Sequence, residues 1–206
     1  MSEMAQNPTT ITVYSDLNCP YCFTLNEWLH RSGVADRVHW LGIEHEAGLS
    51  TQDLKSESAM EALRAEVADV RERDSQLTIR VPSWRYPSGP ALAALHRATE
   101  LDPAKAAAFR REIFRALWID DRDIADLVVL GALSESCGLP SGLLNPNSVS
   151  AVAAVTAEWE FVPVDRIPSI SAPTGTWHVG LGTEKQVSVF LGSALFDAKF
   201  DGSCSI

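Results

Sequence analysis

The residue pattern predicts an α/β fold: a βαβ unit, a long helical block, then a closing ββα unit. Three observations carry this. Ile11-Thr12-Val13-Tyr14-Ser15 alternates apolar and polar groups, and a helical spacing of Leu25, Trp28 and Leu29 follows it. From about residue 54 to about residue 160 the apolar positions keep a helical period. After Val162-Pro163 short strand-like runs return.

The elements follow in order. Val38-His39-Trp40-Leu41-Gly42-Ile43 reads as a second strand, and the room for one helix before it makes the pair parallel. Ser58-Ala59-Met60-Glu61 matches a capping box, with Met60, Leu63, Val67 and Val70 on one face behind it. Pro82 to Gly89 is a loop, and Leu92, Leu95 and Thr99 continue as a short helix. Asp102-Pro103 starts the next helix, a cap followed by Pro in the first turn, and Phe109, Ile113, Phe114 and Leu117 form its buried face. Asp126 to Cys137 is another helix, ended by Gly138 and Pro140. Asn147 opens a last helix through Val152, Val155 and Trp159. Strands are expected at Ile167–Ala172 and Gln186–Leu191, with Gly180 and Gly182 in the turn between them and a closing helix at Ser193–Phe200. Residues 1–53 and 161–206 then form one discontinuous unit, interrupted by a helical insertion at 54–160. That order is a thioredoxin-like fold (βαβ … ββα).

Composition narrows the function. The chain has 206 residues and a net charge of −10, which argues against a phosphate-binding, nucleic-acid surface. No apolar run approaches the ~20 residues of a membrane helix. Residues 1–9 are polar and show no apolar leader, so a reducing cytoplasm is the expected compartment. Four cysteines are too few for a disulfide framework.

Two of those cysteines lie in Cys19-Pro20-Tyr21-Cys22, at the strand-to-helix junction. A helix N-terminus leaves backbone N–H groups unpaired and favours a thiolate, the species that attacks disulfides. Cys19 is the candidate nucleophile. Cys22, one turn on, is the candidate resolving thiol, since that spacing brings two Cα atoms within disulfide reach. A zinc half-site is the competing reading. Cys137 and Cys204 are the only other cysteines and form no second pair of this kind, so no metal is expected. Asp16 and His45 are candidate proton relays, although a solvated loop histidine is the simpler reading of His45. Cys137 lies on an apolar helix face as a core thiol, and Cys204 is in a polar tail. Trp84 and Trp177, both placed in loops, are candidates to line a groove.

The chain resembles the DsbA-like thioredoxin family, in the branch of FrnE-type oxidoreductases and 2-hydroxychromene-2-carboxylate isomerases. Three segments carry the resemblance: Val13 to Cys22; Phe109 to Trp118 with Asp123-Ile124 and Cys137-Gly138-Leu139; and Arg166-Ile167-Pro168-Ser169. It implies a disulfide oxidoreductase acting on disulfide-containing proteins or small thiols. It implies a cis Ile167–Pro168 bond beside Cys19, with Pro20, Tyr21, Ile167 and Pro168 in substrate contact. It implies no resident cofactor; the alternative, a kappa-class type of isomerase or transferase, implies glutathione as substrate or co-substrate. The isomerase relatives carry Ser at the position of Cys19, so the cysteine weighs against that activity. Nothing in the sequence indicates an oligomeric state.

Overall fold

The computed structural model describes residues 10–45, 47–48 and 50–200. The predicted tail thiol Cys204 and the polar start at residues 1–9 lie outside them. The elements run β1 (Thr12–Ser15), α1 (Pro20–Arg31), β2 (His39–Gly42), α2 (Thr51–Leu54), α3 (Glu57–Arg73), α4 (Gly89–Leu101), α5 (Pro103–Trp118), α6 (Leu127–Ser136), α7 (Pro146–Trp159), β3 (Ser169–Ser171), β4 (Trp177–Val179) and α8 (Glu184–Phe200). The sheet order is β2-β1-β3-β4. β1 pairs with β2 in parallel, Thr12 opposite His39, and with β3 antiparallel, Tyr14 opposite Ser169. β3 and β4 are antiparallel, Ile170 opposite His178. This is the α/β, thioredoxin-like order expected, with helices α2 to α7 inserted between β2 and β3.

Several local expectations are corrected. Gln186–Leu191 is not a strand but the first part of α8, and the fourth strand is Trp177–Val179. Val187 and Leu191 are four apart and both buried, so the run carries a helical stripe as well as an apolar look. The cap of α3 is Ser56, whose side chain accepts from Ala59 N, rather than Ser58. The cap of α7 is Asn145, which forms a reciprocal box with Ser148 while Pro146 occupies the first turn. Asp102 and Asp126 cap α5 and α6 as expected, accepting from Lys105 N and Val128 N.

The two faces of the sheet bury different partners. Val13 and Ile170 pack with Leu25, Trp28 and Leu29 of α1 and with Val187 and Leu191 of α8. The other face meets the insertion through Tyr14, whose ring lies 5.2 Å from Trp159 and 5.6 Å from Trp177. Phe23 of α1 reaches into the insertion, with ring centroids 5.9 Å from Phe114 and 6.4 Å from Trp118. All three of those side chains are almost fully buried, and each contributes roughly 1.5–3 kcal/mol on burial. The insertion therefore shares its core with the α1 helix that carries the two cysteines.

Candidate active site

Cys19 is the N-cap residue of α1, with extended backbone (φ −104°, ψ 121°), and Pro20 follows in the first turn. Pro suits that position because its missing N–H would have had no helical partner. The Cys19 carbonyl accepts from Phe23 N at 3.1 Å. No side chain caps the helix. The amide hydrogens of the first turn thus remain open to the N-cap side chain, the Cys19 thiol. Both cysteines are free thiols. Cys19 keeps 8% of its surface exposed and Cys22 none. Burial pushes the Cys22 thiol well above the usual range, and the Cys19 sulfur beside it adds to this. The Ser15 hydroxyl and the Asp16 amide hydrogen act in the opposite direction.

The loop from Asp16 to Cys19 is held mainly by the insertion. Trp118 Nε1 donates to Leu17 O at 3.0 Å. Arg85 Nη1 donates to Asn18 O at 3.1 Å and Arg85 Nη2 to Glu66 Oε2 at 2.7 Å. Asn18 Nδ2 donates to Tyr86 O at 3.4 Å. Inside the loop, Asp16 accepts from Asn18 N at 3.3 Å and from His45 N at 2.8 Å. Asp16 is fully buried, and that burial pushes its carboxyl up to about 6, offset in part by the Ser88 hydroxyl and the two amide hydrogens, with Glu44 adding repulsion. The acid is a brace between the loop after β1 and the loop after β2. His45 is exposed and contributes its backbone N–H to that brace.

Tyr21 lies half-buried beside the thiols. Burial and the facing Asp69 carboxylate push its phenol up to about 12. Asp69 in turn pairs with Arg73 Nε at 2.9 Å, and Arg73 Nη1 donates to Gly182 O at 3.4 Å. These groups wall a cleft of about 560 Å³, completed by Asp165, Arg166, Ile167 and the turn from Val179 to Gly182. Gly182 has φ +62°, and a Cβ there would stand 2.9 Å from the His178 ring, so this turn needs glycine. The Ile167–Pro168 bond is cis, as the resemblance implied. The pairing of Tyr14 with Ser169 places it at the end of β1 that leads to Cys19.

Of the sequence-derived site residues, Tyr21 and Ile167 line the cleft, and Cys19 and Cys22 begin the helix at its side. Pro20 and Pro168 are buried and are not among the residues that line it. Trp177 belongs to β4 and stacks on Tyr14, while Trp84 lies under Lys55 Nζ at 4.0 Å and beside Tyr86 at 4.7 Å, so neither lines the cleft. Cys137 is half-buried at the end of α6 rather than enclosed in the core, because it is the C-cap residue where the helix face ends. Among the described residues, no group of three or more His, Cys, Asp and Glu is arranged to hold a metal ion, and no helix is long and apolar enough to cross a membrane. Sequence reasoning missed Ser15, Asp69, Arg73, Arg85 and Trp118. Only Trp118 had a local signal, as the aromatic end of an amphipathic helix.

No protein-family model matches the sequence, and no curated protein matches it. Solved structures do. A candidate protein disulfide isomerase of Nitrosomonas europaea aligns with a TM-score of 0.70 at 16% identity, over 91% of this chain and 98% of that one. The cytosolic disulfide reductase DsbM of Pseudomonas aeruginosa, solved with GSH, aligns at 0.67 and 20%, over 90% and 98%. A 2-hydroxychromene-2-carboxylate isomerase aligns at 0.63 and 17%, over 95% and 100%. Over nearly its whole length, the chain has the DsbA-like thioredoxin fold with a helical insertion between its second and third strands.

Proposed function

We propose that this protein is a thiol–disulfide oxidoreductase, with Cys19 as nucleophile and Cys22 as resolving thiol. One observation carries the reading: Cys19, which keeps 8% of its surface exposed, caps a helix whose first turn holds the fully buried Cys22, at the side of a cleft bounded by Tyr21 and Ile167. The Cys19 thiolate attacks a substrate disulfide. One substrate sulfur leaves as thiolate and the other stays on Cys19 as a mixed disulfide. Cys22 then gives up its proton and attacks Cys19 Sγ. The Cys19–Cys22 disulfide forms, and the second substrate sulfur departs with the electron pair and takes a proton. The substrate is reduced by two electrons and the protein is oxidised by two. Disulfide-containing proteins and small thiols are the substrate classes, Tyr21 and Ile167 contact them, and a reducing cytoplasm suits the dithiol form. Reduction of insulin by a small thiol, with and without the protein, tests this. Acceleration that vanishes in Cys19→Ser supports it, and equal rates with the variant overturn it.

A second reading is a glutathione-dependent isomerase or transferase. The pair Arg73 and Arg166 on the cleft favours it, since two guanidinium groups suit the two carboxylates of that tripeptide. Stable glutathione binding without mixed-disulfide formation at Cys19 would favour it over exchange.

A further inference from the structure

The Ser15 hydroxyl is fully buried and has no oxygen or nitrogen partner in the resting structure. Such a group is costly: it has left water and faces only the weak acceptor of a thiol. Alanine at this place, the last residue of β1, would keep the strand. Its backbone carbonyl, which accepts from Ile43 N at 2.9 Å, would be unaffected. A buried orphan donor calls for a charge that appears only transiently. The Cys22 sulfur is buried to the same degree, and both the Ser15 hydroxyl and the Asp16 amide hydrogen act on it.

We propose that Ser15 is a catalytic residue for the second step of exchange: its hydroxyl, with the Asp16 N–H, holds the Cys22 thiolate. This rests on the exchange chemistry proposed above. In the forward step Cys22 releases its proton, and the thiolate accepts from Ser15 Oγ–H and Asp16 N–H. It then attacks Cys19 Sγ, the bond from Cys19 to the substrate sulfur breaks, and the departing thiolate takes up a proton. In reverse, an incoming thiolate attacks Cys19 and Cys22 leaves as the thiolate into the same two donors. A donor to a charged acceptor is about twice as strong as one to a neutral group. The hydroxyl therefore does little in the resting thiol and much at the moment of reaction, which is the differential binding that accelerates a step. Asp16 faces this centre through its backbone. Its carboxylate accepts from the amide hydrogens of Asn18 and His45.

The test is single turnover of the fully reduced protein with oxidised glutathione, quenched in acid and read by mass. Three species separate: dithiol, Cys19–glutathione mixed disulfide, and intramolecular disulfide. The expected result for Ser15→Ala is resolution slowed about tenfold or more, with the mixed disulfide accumulating and the pH midpoint of resolution displaced upward. Formation of the mixed disulfide, timed separately in the Cys22→Ser background with and without Ser15→Ala, should change by less than about twofold on the same argument. The variant should melt at the same temperature as the parent or higher, because it loses an unpaired buried group. A general packing defect would lower the melting temperature and leave the pH midpoint in place. Unchanged resolution rate and midpoint would overturn the role of Ser15 while leaving exchange intact. A parent protein that forms neither mixed nor intramolecular disulfide would overturn the exchange reading itself, and this inference with it.

Discussion

Trp28 Nε1 donates to Asp74 Oδ2 at 2.8 Å, joining α1 to the residue that ends α3. The same oxygen accepts from Arg31 Nη2 at 2.6 Å, and Arg31 reaches Glu184 at the start of α8 at 3.1 Å. Burial pushes the Asp74 carboxyl up, but the bonds from Arg31 and Trp28 outweigh it and hold the group below the usual carboxylate range. One carboxylate thus ties the insertion to both helices on the far face of the sheet. Core and insertion are expected to unfold together.

Asp74→Ala should cost about 2–4 kcal/mol, because the buried indole N–H and the Gln76 amide both lose their acceptor. Urea unfolding followed by tryptophan fluorescence measures it. A single transition is expected in the parent. Two separated transitions in the parent would show that the insertion unfolds independently.

Cys22→Ser should arrest exchange at the mixed disulfide, since the attacking sulfur of the second step is gone. Mass analysis after oxidised glutathione should find one glutathione on Cys19. Cys19→Ser should carry none at this site, because the remaining thiol, Cys22, has no exposed surface.

Asp16 gives stability a pH dependence of defined sign. Its proton is held more tightly in the folded protein, where the group titrates at about 6, than at the ordinary value of 3.8. Its contribution is fully present below 3.8 and is lost as the pH rises through about 6. Asp16→Asn has no proton to lose. The stability of the variant minus that of the parent should therefore grow by about 1–3 kcal/mol between pH 4 and pH 7. Urea melts at both pH values measure the difference, and a flat difference would show that the buried acid titrates normally.

Tyr21 should be a late-ionising phenol. Ultraviolet titration of the parent should show one tyrosine ionising near 12, and Tyr21→Phe should remove that component. The variant should retain disulfide exchange, since the hydroxyl faces Asp69 rather than either sulfur. Loss of a component near 10.0 instead would place the Tyr21 hydroxyl in water.

The sequence by itself determined the order of elements, the fold class and the position of Cys19-Pro20-Tyr21-Cys22 at a helix start. These are local properties. Period-2 and period-3.6 patterns, a Pro in the first turn and side-chain caps at Asp102 and Asp126 act within a few residues. It misplaced the fourth strand, because Trp177–Val179 is only three residues long and Gln186–Leu191 is apolar enough to imitate a strand. Only the tertiary structure decided what surrounds the thiols. Trp118, Arg85 and Tyr86 reach the Cys19 loop from 67 to 101 positions away in the chain. Asp69 meets Tyr21 only because α3 packs on α1. Whether Asp16 is a solvated loop acid or a buried brace, and whether Ser15 faces water or a sulfur, depends on what the insertion covers. Burial and partner choice are set by packing between distant segments, and no pattern within one segment encodes them.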